Sequence, residues 1–323
     1  MAGGLSPRRF FRALTATGAS AVVMWLPPDA PERELARRTA RRLPFLEMRE
    51  TLENAHVRVP RLLGALPDEG LLVVEDVGQT LADVLVETPD TAAQHYRRAV
   101  QELAKAQQAL SALPPSSIAR GRSFDRTLLT WEFDHFLEWG VEALGVTLSG
   151  SERLAFEGAR EHVVREMTML TQGFVHRDYQ SRNLCPQPDG NIAWLDFQDA
   201  LWGPRAYDLV ALLRDSYQSF EEEFVSARLE EFAAARGLTV EDLPALRLEF
   251  DIITVQRKLK DAGRFVYFER TRGDASYLRY FVPTLEMVRA ALRRLAQVPQ
   301  LLPLEPLVER QIEIGRRQGM LLT

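Results

Sequence analysis

The chain has 323 residues, 46% of them apolar and 26% charged, with a formal net charge of −5. That length can bury a core large enough for two lobes, and the acidic balance argues against general nucleic-acid binding, which needs a basic surface. No apolar run approaches the roughly 20 residues that span a bilayer. The single cysteine, Cys185, excludes an intrachain disulfide and suits a reducing compartment. No apolar run directly follows Arg8, Arg9 and Arg12, so no signal peptide is expected and the cytoplasm is the default location.

Residues 1 to 30 read as loop and short strands: Gly3 and Gly4 open a small-residue turn, and Ser20 to Leu26 is a β-branched run ended by Pro27-Pro28. Pro31 to Asn54 has helical spacing with a break expected at Pro44. Val57 to Leu63 and Leu71 to Val74 read as strands, followed by Glu75-Asp76-Val77-Gly78. A helix is expected from Thr88 to about Ala112. Another, rich in aromatics and acids, is expected from Phe124 to Leu144, and a third, capped at Ser149, runs to Leu170. Further helices are expected over Glu221 to Gly237, Glu241 to Phe268, Tyr277 to Leu295 and beyond Pro303.

The chemistry concentrates in Phe174 to Asp215. His176-Arg177-Asp178 follows a short apolar run, with Asn183 five residues after Asp178. Asp196 ends a second apolar run, Ile192 to Leu195. Pro188-Asp189-Gly190 is a turn signal, so the two flanking segments are expected to pair as a hairpin that returns Asp196 to Asp178 and Asn183. Phosphoryl transfer from ATP uses such a set. One carboxylate orients the attacking hydroxyl and takes its proton, and an amide oxygen with a second carboxylate holds magnesium. Asp178 is the candidate base, and Asn183 and Asp196 are the candidate Mg2+ ligands.

Three stretches carry a family resemblance: HRDYQSRNL at 176 to 184, LDFQDALWGPRAYDLVALLRD at 195 to 215 and VQRKLKDAGRF at 255 to 265. SPRRFFRAL, VVMWLPP and LLVVEDVG match in order before them. The chain resembles the aminoglycoside phosphotransferase and choline kinase group. Within that group it resembles the bacterial kinases of cell-wall recycling that act on the anomeric hydroxyl of N-acetylmuramate and N-acetylglucosamine. The resemblance implies an α+β, bilobal protein-kinase-like fold. A small β-rich, nucleotide-binding N-lobe would cover 1–78, and a large, mostly helical C-lobe with the catalytic and acceptor sites 79–323.

It also implies ATP and Mg2+ as cofactors and a small-molecule sugar as acceptor. Neither nucleic acid nor membrane is expected as a partner, and the enzyme is expected to be a monomer or small homo-oligomer. Ser6, Arg8 and Arg9 become candidates for the ATP phosphates, and the Glu75 carbonyl and Val77 amide for adenine. His176 and Asp208 become supports of the catalytic loop. For the acceptor the candidates are Glu132 and His135 on the aromatic helix, Gln198 and Asp199 beside the metal aspartate, and Arg257. The pattern departs from a protein kinase at Met24, where the strand lysine would stand. The phosphates must then be met by backbone amides, magnesium or an arginine, and the partner glutamate, Glu47 or Glu50, loses its obvious role. The other readings are an aminoglycoside- or choline-type acceptor and a pseudokinase-like binding protein.

Overall fold

The computed structural model of the chain describes residues 7–14, 18–39 and 42–322. Gly3, Gly4 and Ser6, expected near the phosphates, lie outside the described residues. The chain divides into two compact units. Unit 1 takes Met1–Arg122 and His176–Leu201, and unit 2 takes Ser123–Val175 and Trp202–Thr323.

Unit 1 begins with β1 (Arg9–Leu14), β2 (Ser20–Trp25), α1 (Pro31–Thr39), α2 (Pro44–Asn54), β3 (Leu62–Leu66), β4 (Leu71–Glu75), α3 (Leu81–Glu87) and α4 (Ala92–Ala109). The four strands form an antiparallel sheet in the order β1-β2-β4-β3. Phe10 stands opposite Met24, and Met24 opposite Leu72. Side chains alternate along a strand, so these three share one face. Met24, Leu26, Ala30, Leu43, Leu46 and Leu72 are buried together there, with Phe10 and Phe45 packed against them. The break expected at Pro44 is the start of α2, where a proline costs no helical hydrogen bond. The strand expected from Val57 begins later, at Leu62. Pro60 has no N–H to give a ladder, and the Arg58 carbonyl accepts instead from the Trp194 amide at 2.9 Å.

Unit 2 opens with α5 (Arg126–His135), capped by the Asp125 carboxylate, which passes directly into a π-helical turn over Phe136–Val141. Next come α6 (Gly150–Met169), closed by a Ser149/Glu152 capping box, and β5 (Gln172–Val175). The chain then gives unit 1 the strands β6 (Leu184–Pro186) and β7 (Ile192–Trp194). It continues with β8 (Leu201–Pro204), which pairs with β5, and with α7 (Tyr207–Leu213), α8 (Glu222–Ala235), α9 (Leu243–Arg272), α10 (Phe281–Arg294) and α11 (Leu304–Arg317). Helix α9 is the axis of this unit: residues 249 to 260 are buried without interruption, and α5, α7, α8 and α10 pack around it. Among the described residues no helix is long and apolar enough to cross a membrane.

Candidate active site

The hairpin is built as its sequence requires. β6 and β7 pair antiparallel, with Leu184 opposite Trp194, and the turn closes at Gly190 with φ 82°, a conformation glycine adopts at little cost. Immediately after β7 the Leu195 amide donates to the Asn183 carbonyl at 2.8 Å, so the start of the Asp196 turn is tied to Asn183. The Asn183 side-chain amide donates to the Asp178 carbonyl at 2.8 Å, and the Gln180 amide donates to the same oxygen at 2.9 Å. One carbonyl thus fixes the loop between the candidate base and the candidate metal ligand. With its NH2 group committed, Asn183 has Oδ1 to offer a cation.

Two of the three non-glycine residues with positive φ among the described residues lie here, Arg177 at 81° and Asp196 at 57°. Aspartate enters the left-handed region more readily than most residues, whereas arginine does so at a cost. Such strain persists where the surroundings impose it. His176, fully buried between them, supplies part of that frame: its ring packs edge-on against Tyr179 and Trp194 at 5.7 Å each. The Tyr179 hydroxyl in turn donates to the Ala99 carbonyl of α4 at 3.0 Å. Burial lowers the His176 pKa, against the opposing pull of Asp178, Asp196 and the Leu195 backbone.

Beyond Asp196 a second network gathers around Arg8. Its guanidinium bonds Asp196 Oδ1 at 3.1 Å, Asp199 Oδ2 at 3.3 Å and Glu32 Oε1 of α1 at 3.0 Å. Gln198 donates to the same two aspartate oxygens at 2.9 and 3.1 Å, and the Arg122 guanidinium donates to the Gln198 carbonyl at 2.7 Å. Phe197 stacks on Phe45 of α2 at 5.0 Å. Arg8 lies two residues before Phe10 and therefore on the same sheet face as Met24. A protein kinase carries a cation on the strand of Met24; here Arg8 immediately precedes the neighbouring strand, β1. Met24 itself is core, and a lysine there would place its ammonium among leucines.

Three glutamates bear on the partner role. Glu47 accepts from the Ile118 amide at 2.7 Å and Glu50 pairs with Arg42, while Glu32 takes the arginine. Nothing local in the sequence marks Glu32 or Arg122, because their partners lie far away along the chain.

The remaining unit 1 candidates are placed as follows. Arg9 points from the opposite sheet face, over the Trp25 ring at 5.3 Å. Glu75 ends β4; burial pushes its pKa up, but hydrogen bonds from the Arg61 backbone, Arg58 and the Arg61 side chain hold it below the usual carboxylate value. The Val77 carbonyl accepts from Gln187 at 3.0 Å. Next to this segment, Arg12, Ser20, Asp76, Gly78, Gln79 and Asp83 line an open cleft of about 590 Å³. Gly78, in the segment after β4, has φ 87°, a left-handed conformation that suits glycine.

Unit 2 holds the others. Glu132 is buried and accepts from Gln256 of α9 at 2.7 Å. The His135 ring lies 5.5 Å from Trp131, 6.4 Å from Trp139 and 5.5 Å from Tyr267. Arg257 is buried, its guanidinium 4.9 Å from the centre of the Tyr207 ring. Asp208 is fully buried in the first turn of α7.

The donors in unit 1 suit magnesium: a water-facing carboxylate at Asp196 and an amide oxygen at Asn183 are the hard oxygen ligands that ion takes, few in number so that phosphate and water can complete the shell.

Comparison with known proteins gives this geometry a context. A model of the phosphotransferase enzyme family matches residues 1–248. A protein named N-acetylmuramate/N-acetylglucosamine kinase from Neisseria meningitidis serogroup B is 34% identical over 320 residues, 95% of this chain and 90% of the relative. One of the same name from Pseudomonas aeruginosa is 32% identical, over 91% of this chain and 84% of the relative. Among solved structures, wild-type aminoglycoside 2'-phosphotransferase-IIIa in complex with GDP superposes with a TM-score of 0.59 at 18% identity, covering 90% of each chain. A choline kinase from Streptococcus pneumoniae gives 0.58 at 14% identity, covering 91% of this chain and 92% of that one. These likenesses bear out the protein-kinase-like fold, with its small antiparallel sheet and large helical part.

Proposed function

The chain belongs to the phosphotransferase enzyme family, and we propose that it transfers the γ-phosphoryl group of ATP to the anomeric hydroxyl of N-acetylmuramate or N-acetylglucosamine. The observation that carries this reading is the hairpin tying Asp196 to Asn183 and Asp178, in a chain whose relatives over most of its length are named as kinases of those two sugars.

In this reading Asp178 accepts the proton of O1 as that oxygen bonds to the γ-phosphorus and the bond to ADP breaks. The product is the sugar 1-phosphate. An anomeric hydroxyl is more acidic than other sugar hydroxyls, so an ordinary carboxylate suffices as base. Asn183 and Asp196 would hold Mg2+, which when bound neutralises phosphate charge. Arg8, with Glu32 orienting it, supplies fixed positive charge in place of the strand lysine. The Glu75–Val77 segment offers backbone groups to adenine. Gln198 and Asp199, beside Asp196, can meet the acceptor hydroxyls. The enzyme would act in the cytoplasm, where ATP is made, as a monomer or small homo-oligomer.

A coupled ADP assay tests the reading. The free sugars should turn over and their methyl glycosides, blocked at O1, should not. The product should lose its reducing end and release phosphate in mild acid. Equal rates for sugar and methyl glycoside would remove the anomeric assignment. Turnover of aminoglycosides or choline in place of both sugars would change the acceptor class, and no turnover with any acceptor would return the chain to a binding role.

A further inference from the structure

Within unit 1, one side chain joins the segment after β4 to the β6–β7 hairpin, across 110 residues of sequence. Gln187 follows β6, and the turn holds it by both main-chain groups. Its amide donates to the Asn191 carbonyl at 2.8 Å, and its carbonyl accepts from the Gly190 amide at 2.9 Å. Its side-chain Nε2 lies 3.0 Å from the Val77 carbonyl, 3.0 Å from the Cys185 carbonyl and 3.3 Å from the Pro186 carbonyl. All three neighbours are acceptors, so the NH2 end of the amide is the end that can face them.

What Gln187 holds is a single peptide plane. The Val77 carbonyl and the Gly78 amide belong to one peptide unit. Gln187 takes the carbonyl, and the Asp76 carboxylate accepts from the Gly78 amide at 3.2 Å. Asp76 is fixed in turn by Arg12 of β1 at 2.7 Å. Glycine resists rotation least, so with Gly78 on one side the plane owes its orientation to these bonds. Among the described residues the Val77 amide itself makes no hydrogen bond. A second strut runs beside the first: the Trp194 amide of β7 donates to the Arg58 carbonyl at 2.9 Å, and the Arg58 guanidinium pairs with the Glu75 carboxylate at 2.8 Å. Each strand of the hairpin is thus tied to the segment, β6 through Gln187 to Val77 and β7 through Arg58 to Glu75.

Resting on the nucleotide reading above, we infer that Gln187 is a positioning residue for ATP. It turns the Val77 peptide so that the unbonded Val77 amide meets the adenine edge, and it fixes that amide relative to the hairpin flanked by Asn183 and Asp196. Gln187 touches neither base nor phosphate. Its partners account for the residue type. An amide brings two N–H hydrogens to the three oxygens, a glutamate of the same length would bring negative charge against them, and a methionine of similar size would bring no donor. With the segment ordered in advance, binding the base costs less conformational entropy.

Calorimetry with ADP and steady-state kinetics with ATP and N-acetylglucosamine, on the full-length enzyme, test this. Gln187→Met should raise Kd for ADP and KM for ATP about three- to tenfold, the range for one hydrogen bond. Melting temperature, kcat and KM for the sugar should hold, the last two within about twofold. Gln187→Glu should bind ADP more weakly still. A scaffold role would instead lower kcat and melting temperature together, because Asn183 and Asp196 flank the same hairpin. If Gln187→Met leaves both nucleotide constants unchanged, or loses kcat and melting temperature along with them, the inference is overturned while the parent reading stands. If wild-type enzyme binds ADP but phosphorylates no sugar, the acceptor reading falls and the ADP titrations still decide the role of Gln187. If it binds no ADP, both fall.

Discussion

Each unit contains a knot of basic and acidic side chains, and the two differ in what surrounds them. In unit 1, Arg8 is 8% exposed, but the aspartates it holds, Asp196 and Asp199, are each 44% exposed. In unit 2, Asp261 is 14% exposed, and the Lys258 that binds it is 1% exposed. Burial pushes the Asp261 pKa up, yet Lys258, Lys260 and Arg257 hold it well below the usual range. Lys258 also donates to Ser216 at 2.9 Å, and Thr284 joins the same hydroxyl at 3.0 Å. Residue types alone do not distinguish the two clusters; solvent does. Ion pairs whose acids face water contribute little to stability and exchange partners readily, which suits the phosphate and metal contacts proposed for unit 1. A desolvated cluster resists exchange and depends on being complete.

The sharpest break between the two knots should appear in activity. Asp178→Asn should cut turnover about a hundred- to ten-thousandfold while ADP binding and melting temperature hold. Near wild-type turnover in the folded variant would take the base role from Asp178. Next in size, Asp261→Asn should lower stability by about 3–5 kcal/mol in urea denaturation, because it leaves buried ammonium groups unbalanced. A midpoint matching wild type would mean that this knot is as exchangeable as the other. A smaller effect is expected at Arg8. Arg8→Ala should raise KM for Mg-ATP about tenfold and lower stability by about 1–3 kcal/mol, because Glu32, 14% exposed, loses its partner, with Arg8→Lys intermediate. A large stability loss without a nucleotide effect would make Arg8 a scaffold residue.

The smallest effect concerns pH. Burial first, then Arg264 and Lys260, keep His135 neutral in the folded chain down to about 4, against an ordinary value of 6.5. Between those values the unfolded chain binds a proton that the folded chain refuses, so stability falls as pH drops from about 6.5 toward about 4. Wild type should lose more melting temperature over that window than His135→Gln, and parallel curves would show that another group sets the acid limb.

What could be read in advance follows the range of each interaction. The hairpin rests on a turn triplet and a five-residue spacing, both local, and it stands where the sequence put it. Glu132 and His135 were both singled out on the aromatic helix, but Glu132 is buried against Gln256 of α9 while Trp131, not singled out, is exposed. The Arg8 network was not visible, since Glu32, Asp196 and Arg122 come together only through the tertiary fold. Tyr267 and Arg264 were hidden for the same reason, and the π-helical turn has no sequence signal comparable to a cap. Arg8, the cation proposed for the phosphates, is the most instructive case. Met24 announced that a lysine was missing, but only strand register reveals which neighbour occupies the same face.

Gly263 bears on how the packing of α5 against α9 could change over evolutionary time or in a selection experiment. The atoms a side chain would strike there are main chain, so no rotamer of a neighbour can make room. Trp131 on α5 and Arg264 and Tyr267 on α9 can each be exchanged without moving a helix axis, whereas any replacement at position 263 would pry the axes apart and scatter the rings around His135 together. A library meant to vary this face should randomise those three positions and hold 263 fixed, because the glycine sets the spacing between the two helices on which every variant depends.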